Sequence, residues 1–188
     1  QVTEKIRQFC EKTEMSTGFI LTIPQRQMSS SMAAACRGWQ NKMGEWDEQV
    51  IAETVFESVG LDEDQKTAPN VQANMGTLLE ELVQISLSVG SFQKLKQYDS
   101  KFTKLLESLK QYWRDNPSKK VVLFSFYRQT LKYLSERLGE VCIDSVIVQG
   151  GMDKHAAIKH FTDVTGPNIL LASEVASEGV DLQFSSLV

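Results

Sequence analysis

The sequence predicts an α/β fold, in which a parallel sheet with flanking helices is preceded by a mainly helical region. Residues 169–172 form a short, unbroken apolar run, which is typical of a strand buried on both faces of a parallel sheet. Two further strands are predicted before it, at residues 121–126 and 143–148, and segments of helical periodicity separate the three. Helix and strand therefore alternate, and this order indicates a right-handed parallel α/β unit.

Helical patterns fill residues 1–95, which we interpret as a separate helical region. Gly18 is expected to break the first helical pattern, and Pro24 is expected to begin a new segment. Serines 29–31 offer amino-terminal caps for a helix that runs through Trp39.

Two further helices are predicted in this region. One covers residues 50–59, and residues 61–71 after it have the polar composition of a linker. Thr77 and Glu80 form a capping box that opens the other, which is apolar over much of its surface as far as Leu87. Such a helix is expected to be buried or to dock on a partner.

Residues 96–188 begin with the clearest helix, which Asp99 should cap and which Asn116 and Pro117 should end. Its apolar residues recur at helical spacing and are Phe102, Leu105, Leu106, Leu109, Tyr112 and Trp113.

The later elements follow from similar signals. A helix lined by leucines is expected between the first two strands and should stop at Gly139. Asp153 should cap the next helix, with Ile158 and Phe161 facing inward. Gly166 and Pro167 turn the chain into the strand at residues 169–172, and residues 186–188 read as the start of a further strand.

The composition is that of an ordinary globular protein, with 41% hydrophobic and 23% charged residues in a chain of 188. The net charge of −4 excludes attraction of a polyanion by overall charge, so any nucleic-acid contact must be local. No run of apolar residues approaches membrane-spanning length and no signal-peptide core is present, which predicts a cytoplasmic protein without membrane contact.

The cysteines and histidines do not predict a metal site. Cys10, Cys36 and Cys142 lie far apart and are expected to be buried free thiols. His155 and His160 are five residues apart, a spacing that does not place both on one helical face, so we expect surface or structural roles.

Chemistry is expected where the strand at residues 169–172 ends, because ligands bind outside the carboxyl ends of parallel strands. The polar residues there are Ser173, Glu174, Ser177, Glu178, Gly179 and Asp181. Gly179 would allow close approach of backbone to a ligand, and Asp181 could accept a hydrogen bond from a sugar hydroxyl. A polar loop with a turn glycine is the alternative that these residue types leave open.

Residues 121–138 resemble motif IV and its helix in superfamily 2 helicases. Residues 99–102 before them are similar to the lead-in of Swi/Snf-type motors, and residues 149–151, Gln-Gly-Gly, lie where those motors carry a short glycine turn. Residues 172–184 resemble motif V, and their sequence is most similar to that of the bacterial, HepA/RapA-like branch. Three motifs in the right order over residues 99–188 make coincidence improbable.

The resemblance implies the second lobe of an ATP-driven nucleic-acid motor, with a partial RecA-like sheet. It implies that Gly179 and Asp181 face ATP, that Ser173 touches the nucleic-acid backbone, and that Gln149 and Gly150 lie near the nucleic-acid groove. A hydroxyl suits a phosphate oxygen without adding charge.

Two further residues at the end of the motif IV strand, Ser125 and Arg128, could add backbone contacts. For Arg128, a solvated position in the first turn of a helix is an equal alternative. Lys119 and Lys120 precede the strand at its other end and are interpreted as surface charges.

The sequence departs from the family in two respects. Phe126 occupies a position where many Swi/Snf motors carry glutamine. The phosphate loop and the acidic box of a first lobe do not occur, and motif VI would begin just beyond Val188, so the 188 residues alone are expected not to hydrolyse ATP. ATP and Mg²⁺ would bind mainly to a first RecA-like lobe on the same polypeptide. The nucleic acid along which the motor moves would be DNA or, alternatively, RNA.

Two other functions stay open. One is the carboxyl-terminal lobe of a nucleotide-sugar glycosyltransferase, which also binds its ligand at strand ends. The other is a non-catalytic interaction module, in which the apolar helix of residues 78–89 docks a partner and the α/β part is a scaffold.

Overall fold

The fold is taken from a computed structural model that describes residues 3–4, 7–8, 11, 17–41, 80, 82–117, 119–149, 153–173 and 186–187. The chain divides into two compact units, Gln1–Tyr98 and Asp99–Val188. The first is helical in its described part and the second combines helices with a parallel sheet, which confirms the predicted fold class. Among these residues, no helix has both the length and the apolar character needed to cross a bilayer. The predicted helix at residues 50–59 and the linker at 61–71 lie outside the described part.

The first unit contains the helices α1, Thr17–Ser30, and α2, Met32–Asn41. Ser31 separates them, and its Oγ accepts the Ala34 amide at 3.2 Å, as the capping pattern predicts. The predicted start of a new segment at Pro24 is wrong, since α1 continues through this residue; Gly18 lies in the first turn of α1, and the break expected there stays a prediction. Burial of Pro24 and packing of α1 against α2 offset the hydrogen bond that a proline removes from a helix.

Helix α2 is the most buried described element of this unit. Its buried residues are Ala33, Ala34, Ala35, Cys36, Gly38 and Trp39. The Trp39 indole N–H donates to Gln27 Oε1 on α1 at 2.9 Å. Burial raises the pKa of the Cys36 thiol, as expected for a buried free cysteine.

Two short helices complete the described part of the unit. Residues 82–89 form α3, and Phe92–Gln97 form α4. Gly90 joins them with a φ of 142°, a conformation that only glycine adopts without strain, and Ser91 caps α4. Within α3, Leu82, Val83 and Ile85 are buried, which confirms the predicted apolar helix over its described residues.

In its described residues, the second unit contains three helices and four strands. The helices are α5, Ser100–Asp115; α6, Arg128–Gly139; and α7, Lys154–Thr162. The strands are β1, Val121–Phe124; β2, Ser145–Val148; β3, Ile169–Ala172; and β4, Ser186–Leu187. All pair in parallel in the order β2-β3-β1-β4, so the further strand predicted at residues 186–188 is present at the edge.

Alternate residues of the strands face two separate cores. On one face, Val121, Leu123, Ile169 and Leu171 pack with residues of α5 and α6, among them Leu131. On the other face, the remaining strand residues pack with Phe161 of α7, and these are Val122, Val148, Leu170 and Ala172. Burial on both faces explains why β1 and β3 are unbroken apolar runs.

The Asp99 carboxylate links α5 to α6 through two hydrogen bonds. Its Oδ1 accepts the Phe102 amide at 3.0 Å, which confirms the predicted cap, and its Oδ2 accepts the Tyr133 hydroxyl at 2.7 Å. Arg137 donates to the same hydroxyl at 3.1 Å, and its guanidinium carbon lies 4.3 Å from the centre of the Phe102 ring. Burial, and then the hydrogen bond to Asp99, raise the pKa of Tyr133.

Cys142 follows the carboxyl end of α6 and does not have the burial that the sequence predicted. Ile143 N–H donates to Leu138 O at 2.9 Å and Cys142 N–H to Gly139 O at 3.0 Å, which together form a Schellman motif. Cys142 occupies the left-handed position, with φ 57°, that glycine usually takes. The expectation that this cysteine is buried is wrong: it is exposed, because the motif places it on the turn. Cys10 lies outside the described residues.

Lys120 is not the surface charge that the sequence suggested. Its Nζ donates to the carbonyl oxygens of Phe161 and of Asp163, the latter at 2.6 Å. It also approaches the carbonyl oxygens of Gly166 and Pro167, each at 3.3 Å. We call these four carbonyls the Lys120 cage. The ammonium thus stabilises the carboxyl end of α7 and the loop that leads to β3.

Candidate nucleic-acid interface

The carboxyl ends of β1, β2 and β3 bring three of the predicted site residues to one edge of the sheet. Phe124 and Val148 are both in register with Ala172, so Ser125, Gln149 and Ser173 each follow a strand at the same level. We call this the carboxyl edge.

Backbone hydrogen bonds tie the carboxyl edge together. Ser125 N–H donates to Ala172 O at 3.1 Å, and Ser173 N–H donates to Val148 O at 3.0 Å. The parallel ladder therefore extends one residue past β1 and β3, and it fixes the backbone from which the serine side chains project.

The two serines differ in burial. Ser173 is 7% exposed, while Ser125 is half-buried. Ser125 Oγ accepts the Tyr127 amide at 3.2 Å, which closes a tight turn before α6. A hydroxyl that accepts one hydrogen bond can still donate its proton, so Ser125 can serve a phosphate oxygen while it holds the turn.

Gln149 contributes an amide to the same edge. Its side chain is half-buried, and within the described part of the chain its Oε1 is enclosed without a hydrogen-bond donor. An enclosed acceptor that lacks a donor costs about 1–3 kcal/mol. A ligand that donates a hydrogen bond is one way to offset this cost.

Arg128 is the first residue of α6 and is exposed. The helix starts without a side-chain cap hydrogen bond at Tyr127. The positive end of its dipole and the positively charged Arg128 therefore follow Ser125 closely in the chain, and a positive helix end favours an anion.

The remaining predicted residues cannot be placed. Gly150, Gly179 and Asp181 lie outside the described residues, as do Glu174, Ser177 and Glu178, so their proposed contacts stay predictions. Among the residues that are described, His155 and His160 are exposed, and no group of three or more His, Cys, Asp or Glu side chains could hold a metal.

Sequence reasoning missed Phe126 as a candidate for this edge. It was placed within the predicted buried strand at residues 121–126 and noted as a departure from a glutamine. That placement is wrong, because β1 ends at Phe124 and Phe126, in the turn after it, is 76% exposed.

Comparison with known proteins places residues 99–188 in context. Residues 100–188, just under half of the chain, match the profile of the family described as Helicase conserved C-terminal domain. A segment of 91 residues, 47% of the chain, is 29% identical to the pre-mRNA-processing ATP-dependent RNA helicase PRP5 of Meyerozyma guilliermondii. The chain covers 11% of that relative's length. Over residues 100–188 the second unit is thus similar to helicase C-terminal domains, and its parallel sheet is consistent with a partial RecA-like fold.

Proposed function

We propose that the chain supplies the second RecA-like lobe of an ATP-dependent nucleic-acid motor of the Swi/Snf-like type, in the HepA/RapA-like branch, with DNA as its track. The observation that carries this proposal is the convergence of Ser125, Gln149 and Ser173 at the carboxyl edge. Each residue comes from a different motif, and the motifs follow one another in the order of the helicase family.

The chemistry of this edge suits a nucleic-acid backbone. Hydroxyl and amide groups, backbone N–H groups and one guanidinium can bind phosphate and sugar oxygens in a protein whose net charge is −4. Contacts of this kind fix register and orientation without reading sequence, which is what a motor that moves along a strand requires.

In the complete protein, ATP and Mg²⁺ would bind between this lobe and a first lobe on the same polypeptide. ATP supplies the phosphoryl transfer that drives motion, and Mg²⁺ neutralises the charge that develops on the phosphates. From this chain, Gly179 would line the nucleotide and Asp181 would accept a hydrogen bond from a ribose hydroxyl.

The first test is ATP hydrolysis by the full-length protein with duplex DNA, single-stranded DNA or RNA. We expect DNA to raise turnover. Ser173→Ala should reduce the ratio of stimulated to unstimulated turnover, whereas Ser108→Ala, at an exposed position on α5, should not. Asp181→Ala should raise the KM for ATP, and Asp144→Ala, which removes the same charge at an exposed position, is its control. Absence of stimulation by every nucleic acid would refute the proposal.

An RNA helicase is the second candidate. It is favoured by the similarity to a protein described as an ATP-dependent RNA helicase. Stimulation of turnover by RNA in preference to both forms of DNA would replace the DNA translocase with this candidate and leave the assignment to a motor lobe intact.

A further inference from the structure

Phe126 is the most exposed aromatic residue among those described in the second unit, with 76% of its side-chain surface open. It does not lie on a loosely held loop. Ser125 before it is hydrogen-bonded to Ala172, and Tyr127 after it donates its amide to Ser125 Oγ and accepts the Thr130 amide at 2.9 Å. The ring is therefore held outward by a short turn with anchored residues on both sides.

An exposed phenylalanine at a fixed position is unfavourable in water unless something covers it, because its apolar surface gains free energy on burial. Phe124, two residues earlier, is also 38% exposed, so the apolar surface extends back along the end of β1. This surface adjoins Ser125 and lies at the same edge as Ser173, where the proposed function places a nucleic-acid backbone.

We propose that Phe126 stacks on an unpaired base of the bound strand, an inference that rests on the proposed function. Proteins that bind single strands combine contacts to the phosphate backbone with aromatic side chains on which bases stack, and hydroxyl groups beside the ring are suited to the phosphate contact. Stacking requires no positive charge on the protein, so it can contribute to binding in an acidic chain that has no overall attraction for phosphate.

This contact selects single strands over duplexes. In a duplex both faces of each base are covered by its neighbours, and Phe126 would reach only the backbone. Every base has a π-face, so the contact should tolerate all sequences, and it does not involve the sugar, so DNA and RNA should both provide it.

The test uses the full-length protein and oligonucleotides of about 12 nucleotides that carry one 2-aminopurine, whose fluorescence falls when it stacks. Matched single-stranded DNA, single-stranded RNA and a DNA hairpin duplex form the three arms. The variants are Phe126→Ala, Phe126→Trp and Val164→Ala. Val164 is 96% exposed in the loop before β3, so its truncation removes exposed apolar surface at the opposite end of the sheet.

We expect Phe126→Ala to weaken single-strand binding roughly five- to hundredfold and to abolish the quenching of bound 2-aminopurine, in both DNA and RNA. Phe126→Trp should retain both properties, because the indole also stacks. Duplex affinity should be the same in Phe126→Ala and the wild type, and Val164→Ala should match the wild type in all three arms.

Equal single-strand affinity and equal quenching in the wild type and Phe126→Ala would overturn this inference while leaving the proposed function standing. A loss of ATP turnover without any change in binding would assign Phe126 to packing against another part of the protein, and it would also overturn the inference. Absence of binding to any of the nucleic acids by the wild type would overturn both proposals.

Discussion

The Lys120 cage can be tested by replacing the lysine with methionine. Lys120→Met keeps the length and apolar character of the stem but removes the ammonium, so the carbonyl oxygens of Phe161, Asp163, Gly166 and Pro167 lose their shared donor. The neighbouring Lys119→Met removes the same charge from an exposed side chain and therefore serves as the matched control.

The expected loss follows from the contacts. A hydrogen bond to a charged group contributes about 1.5–3 kcal/mol, and exposed ionic contacts contribute less because solvent screens them. Desolvation lowers the pKa of Lys120, which reduces the gain, although the Asp163 carboxylate partly opposes that shift. We expect Lys120→Met to lower the free energy of local opening by about 1–2 kcal/mol, or about tenfold in the opening equilibrium.

Amide hydrogen exchange is the appropriate assay, because a chain with two compact units need not unfold in one step. The reporters are the amides of Asp163, Gly166 and Val121, which donate to Lys159, Asp163 and Asn168 around the cage. Their protection should fall about tenfold in Lys120→Met and stay within about 0.5 kcal/mol of the wild type in Lys119→Met. Equal protection in the two variants would refute a structural role for the ammonium.

Three further predictions concern single positions of the second unit. Cys142→Gly should stabilise it by about 0.5–1 kcal/mol in urea unfolding, because glycine relieves the left-handed strain, whereas Cys142→Ala should give no gain. Gly166→Ala should destabilise it by about 1–3 kcal/mol, since a Cβ there would overlap the carbonyl oxygen of His160, while Gly139→Ala meets no atom within 4 Å and should not destabilise it. Because the folded protein keeps the Tyr133 proton beyond the unfolded pKa of about 10, stability should be constant below about pH 10 and fall above it by up to about 1.4 kcal/mol per pH unit; a fall just as steep in Tyr133→Phe would contradict this.

The sequence was sufficient for features that depend on neighbouring residues. The caps at Asp99 and Asp153 are set by side chains three residues from the amides they accept. The strands could be found because burial on both faces leaves only apolar residues, as at Ile169 to Ala172. Because the strands are parallel, Ser125 and Ser173, which each follow a strand, lie at one edge, as the register shows.

The features that escaped prediction depend on residues far apart in the chain. Lys120 meets carbonyls that lie 41 to 47 residues later, and backbone carbonyls leave no mark in a sequence. Pro24 stays inside a helix because of its burial, which local rules for proline do not include. The helix ends at Gly139 as predicted, but the left-handed residue that closes the Schellman motif is Cys142, a cysteine that no residue preference indicates.

The two ends of β1 separate stability from recognition, and this separation makes the functional tests interpretable. Lys120 precedes the strand and fixes its amino end to the loop before β3, while Ser125 and Phe126 follow the strand at its carboxyl end. Lys120→Met should lower ATP turnover only in proportion to the fraction of molecules in which the contacts of the Lys120 cage are open. Loss of the exposed Phe126 ring should instead change single-strand binding without changing amide protection. A Phe126→Ala protein that loses both binding and protection would show that the ring supports the fold, and the stacking contact would then have no independent support.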